Sequence, residues 1–296
     1  MHRSGFVNII GSPNVGKSTL MNALVGERLS IVSRKAQTTR HRIMGIVNGD
    51  DYQIVYSDTP GVLKPAYKLQ AAMMRFVDSA LEDADIILYI TDTVEPACKH
   101  TALLEKLQQM NVPIVLLINK IDLASQEQVQ ELIATWSKAL PKADVLPVSA
   151  LHGFNTDTVM ERVKSLLPPS PPYFGKDELT DRSLRFIASE VIREQILTTY
   201  DKEIPYSVEV AIDQYRESPE IDRIRAIIYV ERDSQRAIVI GHKGQNLKKV
   251  GMAARQELEQ FLQKKVFLEL YVKVDANWRN DDLKLRRYGY PTGKQE

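Results

Sequence analysis

The sequence predicts an α/β unit with a mostly parallel sheet and helices on both faces, followed by a smaller α+β unit. Three observations carry this. Short apolar runs alternate with longer helix-compatible stretches up to about residue 167; a proline-rich break follows at 166–176; and the element order changes beyond it. The apolar runs are 6–11, 52–61, 84–92, 112–120 and 143–150. Three are nearly continuous in Val, Ile and Leu, as strands covered on both faces require. Residues 17–26, 68–82, 99–110, 126–139 and 155–167 suit helices. Strand alternating with helix implies right-handed crossovers, hence parallel neighbours. The break LLPPSPPYFGK holds Pro168, Pro169, Pro171 and Pro172, and proline cannot donate to a helix or ladder. An extended linker is therefore expected over 168–182, between a first domain at 1–167 and a second at 183–296. In the second, a helix over 184–199 precedes strand-like 206–213 and 224–232, then a helix over about 245–263 and a strand over 266–274.

At 296 residues the chain is long for one domain and comfortable for two. Hydrophobic residues at 44% and charged ones at 26% exclude a disordered or fibrous chain. The net charge of +1 is silent about nucleic acid as a partner. The single cysteine, Cys98, excludes an intramolecular disulfide or a multi-cysteine metal site and suits a reducing compartment. The first apolar stretch is too short for a secretion signal, and there is no run of about 18 apolar residues to span a membrane. A soluble, cytoplasmic protein is expected. Bulk charge hides a polarised second half: 177–235 holds 8 basic and 14 acidic residues, whereas 236–287 holds 12 basic and 6 acidic. Between Ser234 and Gln256 there are five bases and no acid.

Gly11, Ser12, Pro13, Asn14, Val15, Gly16, Lys17 and Ser18 spell G-x-x-x-x-G-K-[ST] between the first strand and a helix. Glycines let backbone N–H groups curl inward onto phosphate oxygens, and the helix N-terminus adds the positive end of its dipole. Lys17 would neutralise the β- and γ-phosphates, and the Ser18 hydroxyl would ligate Mg²⁺. Asp58-Thr59-Pro60-Gly61 follows a strand; Asp58 can hold Mg²⁺ through water, and Gly61 would offer its N–H to the γ-phosphate. Asn119-Lys120-Ile121-Asp122 follows another strand. Asp122 can accept two hydrogen bonds from the N1–H and 2-amino edge of guanine, which adenine lacks. Ser149, Ala150 and Leu151, after the last strand, supply a backbone N–H for guanine O6. A glycine-rich turn or a surface loop could explain any one motif. Four in order, each at a strand's C-terminal end, point to GTP. In Ala36-Gln37-Thr38-Thr39-Arg40 a threonine would ligate Mg²⁺ only with the γ-phosphate present, and Thr39 is preferred over Thr38. Lys17, Thr39 and Gly61 are the catalytic candidates, and a second switch is expected from Gly61 to about Gln70.

GSPNVGKS, KAQTTR, DTPG, NKID and SAL, together with PPYFGKDELTDRS, EIPYSVEV and VERDSQRAIVIGHKG beyond the break, resemble the Era family of GTPases from Gly5 to Trp278. The resemblance implies an α/β P-loop GTPase domain followed by an α+β KH domain of the second topological type. It further implies a ribosome-biogenesis factor that engages the 3′ end of 16S rRNA in the small ribosomal subunit. Small GTPases place a water-orienting glutamine after the DxxG glycine; Val62 stands there instead. Related members with asparagine in the P-loop place K⁺ against the phosphates, and Asn14 matches that asparagine. The implied enzyme is a slow, K⁺-stimulated GTPase with Mg²⁺ as cofactor.

Gly241-His242-Lys243-Gly244 is a G-x-x-G ahead of a helix carrying Lys248, Lys249 and Arg255. A lone G-x-x-G is usually just a turn. With basic residues behind it, and the KH resemblance around it, these seven residues are the RNA-binding candidates. Ala237–Ile240 could be a strand by composition, and the resemblance makes it a short helix. Trp278, Arg279 and Lys284–Tyr288 interleave aromatics with bases, for stacking on RNA or for capping the fold. The alternative function is a signalling GTPase at the membrane surface, in peripheral association with the inner membrane face, or one with another RNA partner. A monomer is the expected state.

Overall fold

The computed structural model describes residues 2–96 and 99–293; Cys98 lies outside them. The first sheet is built from β1 (Arg3–Gly11), β2 (Ile43–Asn48), β3 (Tyr52–Asp58), β4 (Ile86–Asp92), β5 (Ile114–Asn119) and β6 (Asp144–Pro147). Between them lie α1 (Lys17–Val25), α2 (Lys68–Glu82), α3 (Thr101–Gln109) and α4 (Gln126–Ala139), with α5 (Thr156–Leu166) closing the series. The strand order is β2-β3-β1-β4-β5-β6, parallel except for β2, which runs antiparallel to β3. The sequence pattern did not reveal β2. Its six residues, IMGIVN, follow a polar threonine-rich stretch and carry no helix between them and β3 to announce a strand. The other strands and all five helices match the expected runs closely.

β4 and β5 are buried along their whole lengths, which explains their unbroken apolar composition. On one face, Val77 and Leu81 of α2, Leu104 and Leu107 of α3 and Trp136 of α4 pack against Ile87, Tyr89, Leu116 and Ile118. The Tyr89 and Trp136 rings meet edge to face with centroids 5.7 Å apart. The proline-rich segment is extended, as proline demands, and is held to the sheet. The Gln53 side-chain carbonyl accepts the Tyr173 and Phe174 N–H groups at 2.7 and 3.0 Å, and Ile46 N–H donates to the Leu179 carbonyl at 2.8 Å.

The chain divides into two compact units: Met1–Ser30, Thr39–Lys64 and Met74–Asp181 form one, and Ile31–Thr38, Pro65–Met73 and Arg182–Glu296 form the other. The second unit holds α6 (Leu184–Thr199), α7 (Ile204–Ser207), β7 (Glu209–Arg216), β8 (Ile221–Val230), α8 (Asp233–Ile240), α9 (Gln245–Leu262), β9 (Lys265–Val274) and α10 (Asp282–Arg287). Its sheet order is β7-β8-β9, with β8 antiparallel to β7 and parallel to β9. The parallel pair is joined through α8 and α9, the crossover that a parallel connection needs. β7 begins at Glu209 rather than 206, because Pro205 favours the first turn of a helix and 204–207 winds into α7. Residues 237–240 lie in α8, a helix where composition alone allowed a strand. Trp278 is buried, its indole N–H donating to the Ser207 carbonyl at 3.0 Å and its ring edge-on to Tyr288. Of the two roles open to this aromatic, the structure shows the cap.

A buried guanidinium ties the first sheet to α2. Arg42 donates from Nε to Ser57 Oγ at 2.6 Å and from both terminal nitrogens to Asp83 at 2.6 and 2.9 Å, and Nη2 also reaches Asn8 Oδ1. Asn8 in turn donates to Asp83 Oδ1 and to the Ala80 carbonyl. Removing the carboxylate leaves a buried charge without its counterion, a change that costs several kcal/mol at fully buried sites. Asp83 is itself half exposed, so Asp83→Ala should destabilise the chain by about 2 kcal/mol, read as a lower urea midpoint at an unchanged m-value.

Candidate functional site

The C-terminal ends of β1, β3, β4, β5 and β6 bring the predicted nucleotide residues together, the edge at which parallel sheets bind ligands. The loop 11–16 leaves β1 and runs into α1 at Lys17. The Lys17 ammonium is buried and donates to the Gly11 and Ser12 carbonyls at 3.1 and 2.7 Å. Burial pulls it down from its ordinary value to about 8, with Asp58 and then Glu95 drawing it back up. Asn14 is exposed and sits in the left-handed region at φ 65°, while Val15 is buried beneath the loop. Gly61 lies against the loop so closely that a Cβ would come 2.6 Å from the Pro13 nitrogen, so only glycine fits.

Three oxygen donors converge beside Lys17. Ser18 Oγ lies 2.9 Å from Thr39 Oγ1 and donates to Asp58 Oδ2 at 2.6 Å, and Thr39 Oγ1 reaches the same oxygen at 3.2 Å. The other oxygen of Asp58 is buried and makes no hydrogen bond. Burial pushes the Asp58 carboxyl up, against the Ser18 hydrogen bond and the Lys17 charge. Two hydroxyls and a carboxylate with an unpaired buried oxygen form a hard-oxygen set suited to Mg²⁺. Thr38 turns away, its hydroxyl donating to the Lys35 carbonyl at 2.6 Å, so the geometry favours Thr39 for this set. Elsewhere among the described residues, no group of three or more His, Cys, Asp or Glu side chains could hold a metal ion.

The base-side residues are cross-braced. Asn119 donates to the Val15 carbonyl at 2.7 Å and accepts from Ala150 N–H at 2.9 Å, tying β5 to the phosphate loop and to the loop after β6. The Ser149 hydroxyl donates to Asp122 Oδ1 at 2.5 Å, orienting the carboxylate. Leu151 is exposed. Lys120 donates to the Asn14 carbonyl at 2.6 Å and to Asp92 Oδ2 at 2.7 Å. The Asp92 carboxyl lies below its usual range: burial raises it, and the Lys120 hydrogen bond and two backbone N–H groups outweigh that. Sequence reasoning missed Asp92. The signal available was its place as the last residue of a strand whose neighbours all end in site residues. Also missed was a contact to Ser12, whose hydroxyl meets Glu95 and His100 Nε2.

In the second unit, Gly241 ends α8 at φ 72° and ψ 178°, a backbone region essentially reserved for glycine. His242 and Lys243 are exposed, Lys243 in a left-handed conformation, and Gly244 opens α9 where a Cβ would meet nothing within 4 Å. Lys248, Lys249 and Arg255 are exposed on α9, whose opposite face buries Val250, Ala254 and Leu258.

A phosphate loop with a Ser–Thr–Asp oxygen set and a braced Asn-Lys-x-Asp is a P-loop GTPase, here in one chain with a KH domain. A family described as "50S ribosome-binding GTPase" matches residues 6–120, and one described as "KH domain" matches 203–279. GTPase Era of Caldicellulosiruptor saccharolyticus is 44% identical over 292 residues, covering 97% of each chain, and GTPase Era of Geotalea daltonii is 44% identical over 289, again with 97% of each covered. Among solved structures, Era in complex with MgGDPNP and nucleotides 1506–1542 of 16S ribosomal RNA superposes with a TM-score of 0.94 at 37% identity, over 99% of this chain and 100% of that one. A single-substitution variant of Aquifex aeolicus Era bound to GDP·AlF₄⁻ gives 0.94 at 38% identity, over 98% and 100%. The chain belongs to the Era family of GTPases.

The lowered Lys17 has a pH consequence. A bound polyphosphate favours the ammonium, so binding above pH 8 must return a proton to a lysine that the empty site has lost, whereas below pH 8 the lysine is already charged. GDP affinity should therefore hold steady up to about pH 8 and fall above it. Calorimetry at pH 8.5 in buffers of different ionisation enthalpy should show net proton uptake, and Lys17→Met should abolish the high-pH arm.

Proposed function

We propose that this chain is a GTP-hydrolysing ribosome-biogenesis factor that binds the 3′ end region of 16S rRNA through its second unit and acts on maturation of the small ribosomal subunit. The carrying observation is the pairing, in one chain, of the Lys17–Ser18–Thr39–Asp58 cluster with the strained Gly241 loop ahead of a basic helix. The relative solved with rRNA nucleotides 1506–1542 supports the RNA assignment. We assign the GTPase domain to 1–167, the linking segment to 168–182 and the KH domain to 183–296. The chain is read as a cytoplasmic monomer; no helix among the described residues is long and apolar enough to cross a membrane.

In this reading Gly11–Ser18 and Gly61 surround the phosphates, and Ser18, Thr39 and, through water, Asp58 would hold Mg²⁺, which would supply positive charge against the phosphates. The relative bound to MgGDPNP supports that metal. Lys17 holds its proton at Nζ and aims it at the phosphate oxygens. Asp122 accepts from the guanine N1–H and 2-amino groups, while Asn119, Lys120, Ser149, Ala150 and Leu151 frame the base. Gly241, His242, Lys243 and Gly244 clamp the RNA backbone, and Lys248, Lys249 and Arg255 neutralise its phosphates.

Val62 N–H donates to the Gly11 carbonyl at 3.0 Å, and an alkyl side chain stands where small GTPases orient water with an amide. Asn14, exposed in the loop, is read as the K⁺ ligand by analogy with related members that carry this asparagine. Turnover should then be several-fold faster in K⁺ than in Na⁺, and Asn14→Ala should remove the difference; equal rates in both salts would refute the K⁺ site.

Crosslinking to total cellular RNA, with GDP and with a non-hydrolysable GTP analogue, tests the function itself. The bound fragments should concentrate at the 16S rRNA 3′ end, more strongly with the GTP analogue, and vanish when Gly241 and Gly244 are both changed to Asp. Scattered RNA independent of nucleotide would leave the GTPase and remove the rRNA partner.

A further inference from the structure

The second unit's sheet has two unlike faces. One is buried under α6, α8 and α9 through Ile224, Ala226, Ile228, Val266 and Val272. The parallel register of β8 and β9 sets Arg223 beside Phe267, Arg225 beside Glu269 and Ile227 beside Tyr271 on the other face. Phe267 and Tyr271 are 45% and 47% exposed there, large aromatics left open on a sheet whose reverse is fully packed. Each has a guanidinium over its ring: Arg223 stands 5.3 Å from the Phe267 centroid and Arg225 5.8 Å from that of Tyr271. Arg216 lies opposite Arg223 on β7, and Lys273 continues the same face of β9. Arg225 is the base that carboxylates engage, with Glu269 at 3.3 Å and Asp213 at 4.0 Å. At the other end of the face Tyr229 is covered by Tyr288 and Arg287.

We propose that this open face is a second nucleic-acid surface, a stacking platform for single-stranded RNA separate from the G-x-x-G loop. Sheet faces that present aromatics receive unstacked bases on their rings, and guanidinium planes extend such a surface while neutralising phosphates. Phe267 and Tyr271 are four residues apart on one strand, about 13 Å, a distance a strand of a few nucleotides covers. The charge balance favours a polyanion as the occupant: four bases, Arg216, Arg223, Arg225 and Lys273, stand on this face against the carboxylates of Glu269 and Asp213. A G-x-x-G loop clamps only about four nucleotides, so a longer RNA must lie on further surface. This inference rests on the RNA-binding reading of the second unit, and the test separates the two.

Two RNAs are titrated onto the full chain: the 1506–1542 segment, and a strand of about four nucleotides that fills the G-x-x-G clamp alone. Changing both Phe267→Leu and Tyr271→Leu removes the rings but keeps apolar residues on the strand. The pair should weaken the long RNA roughly tenfold and leave the short one unchanged. Arg223→Gln should lower the slope of log affinity against log salt for the long RNA by roughly one. The Phe267→Trp variant should keep full affinity, and its added fluorescence should be quenched by the long RNA. Adducts of 4-thiouridine-substituted long RNA should map to Phe267 or Tyr271. Unchanged long-RNA affinity with adducts only at 241–249 overturns the proposal, as do crosslinks from this face to a protein of the ribosomal subunit in place of RNA. If Gly241→Asp with Gly244→Asp leaves short-strand binding intact, the G-x-x-G reading itself fails, whatever the sheet face does.

Discussion

A buried ammonium whose hydrogen bonds go to backbone carbonyls governs the first unit. Lys17 has three protons to donate, and two of them reach the carbonyls of Gly11 and Ser12. Burial lowers its affinity for the proton, so the site favours any ligand that brings negative charge to it. The surrounding geometry follows from that demand. Gly61 passes close enough to touch Pro13, and the carboxylate of Asp58 stands near with an oxygen to spare. Asn119 and Lys120 then tie the loop to the end of β5, so the phosphate and base halves of the pocket are held as one piece.

The second unit turns on a different constraint, one backbone conformation at Gly241 in the loop proposed as the RNA clamp. Gly241 adopts a conformation that side chains resist, and a Cβ there would press into Asn246, whose amide donates to the Ile238 carbonyl. The strain is local and is offset by a well-packed core around Ile192, Ile196, Val239 and Val250. Charge is sorted along the chain as well. The acidic half of the second unit supplies buried pairs such as Glu190 with Arg193, and the basic half keeps Lys248, Lys249 and Arg255 in water.

Much of this was legible in the sequence because the chemistry demands particular residue types at particular spacings. Phosphate binding needs glycine, lysine and a hydroxyl in one turn, and guanine reading needs a carboxylate after a strand; both stand out without any knowledge of contacts. What stayed hidden depends on partners far away in sequence. Arg42 looks like a solvated charge until β1, β3 and the end of α2 close around it. Asp92 gains its meaning only when Lys120, 28 residues on, reaches back to it. β2 is a short edge strand paired antiparallel to β3, and its register depends on that neighbour rather than on its own pattern. Trp278 could cap or stack on sequence alone, and the Ser207 carbonyl decides it.

Equilibrium binding of GDP and ADP to the nucleotide-free chain, in Mg²⁺ and at neutral pH, tests the account of the first unit most directly. Asp122, oriented by Ser149, is left unpaired by adenine, so GDP should bind at least about 10⁴-fold more tightly than ADP. Comparable affinities for the two nucleotides would mean that the braced carboxylate does not read the base, and the assignment of this pocket to GTP would fall with it.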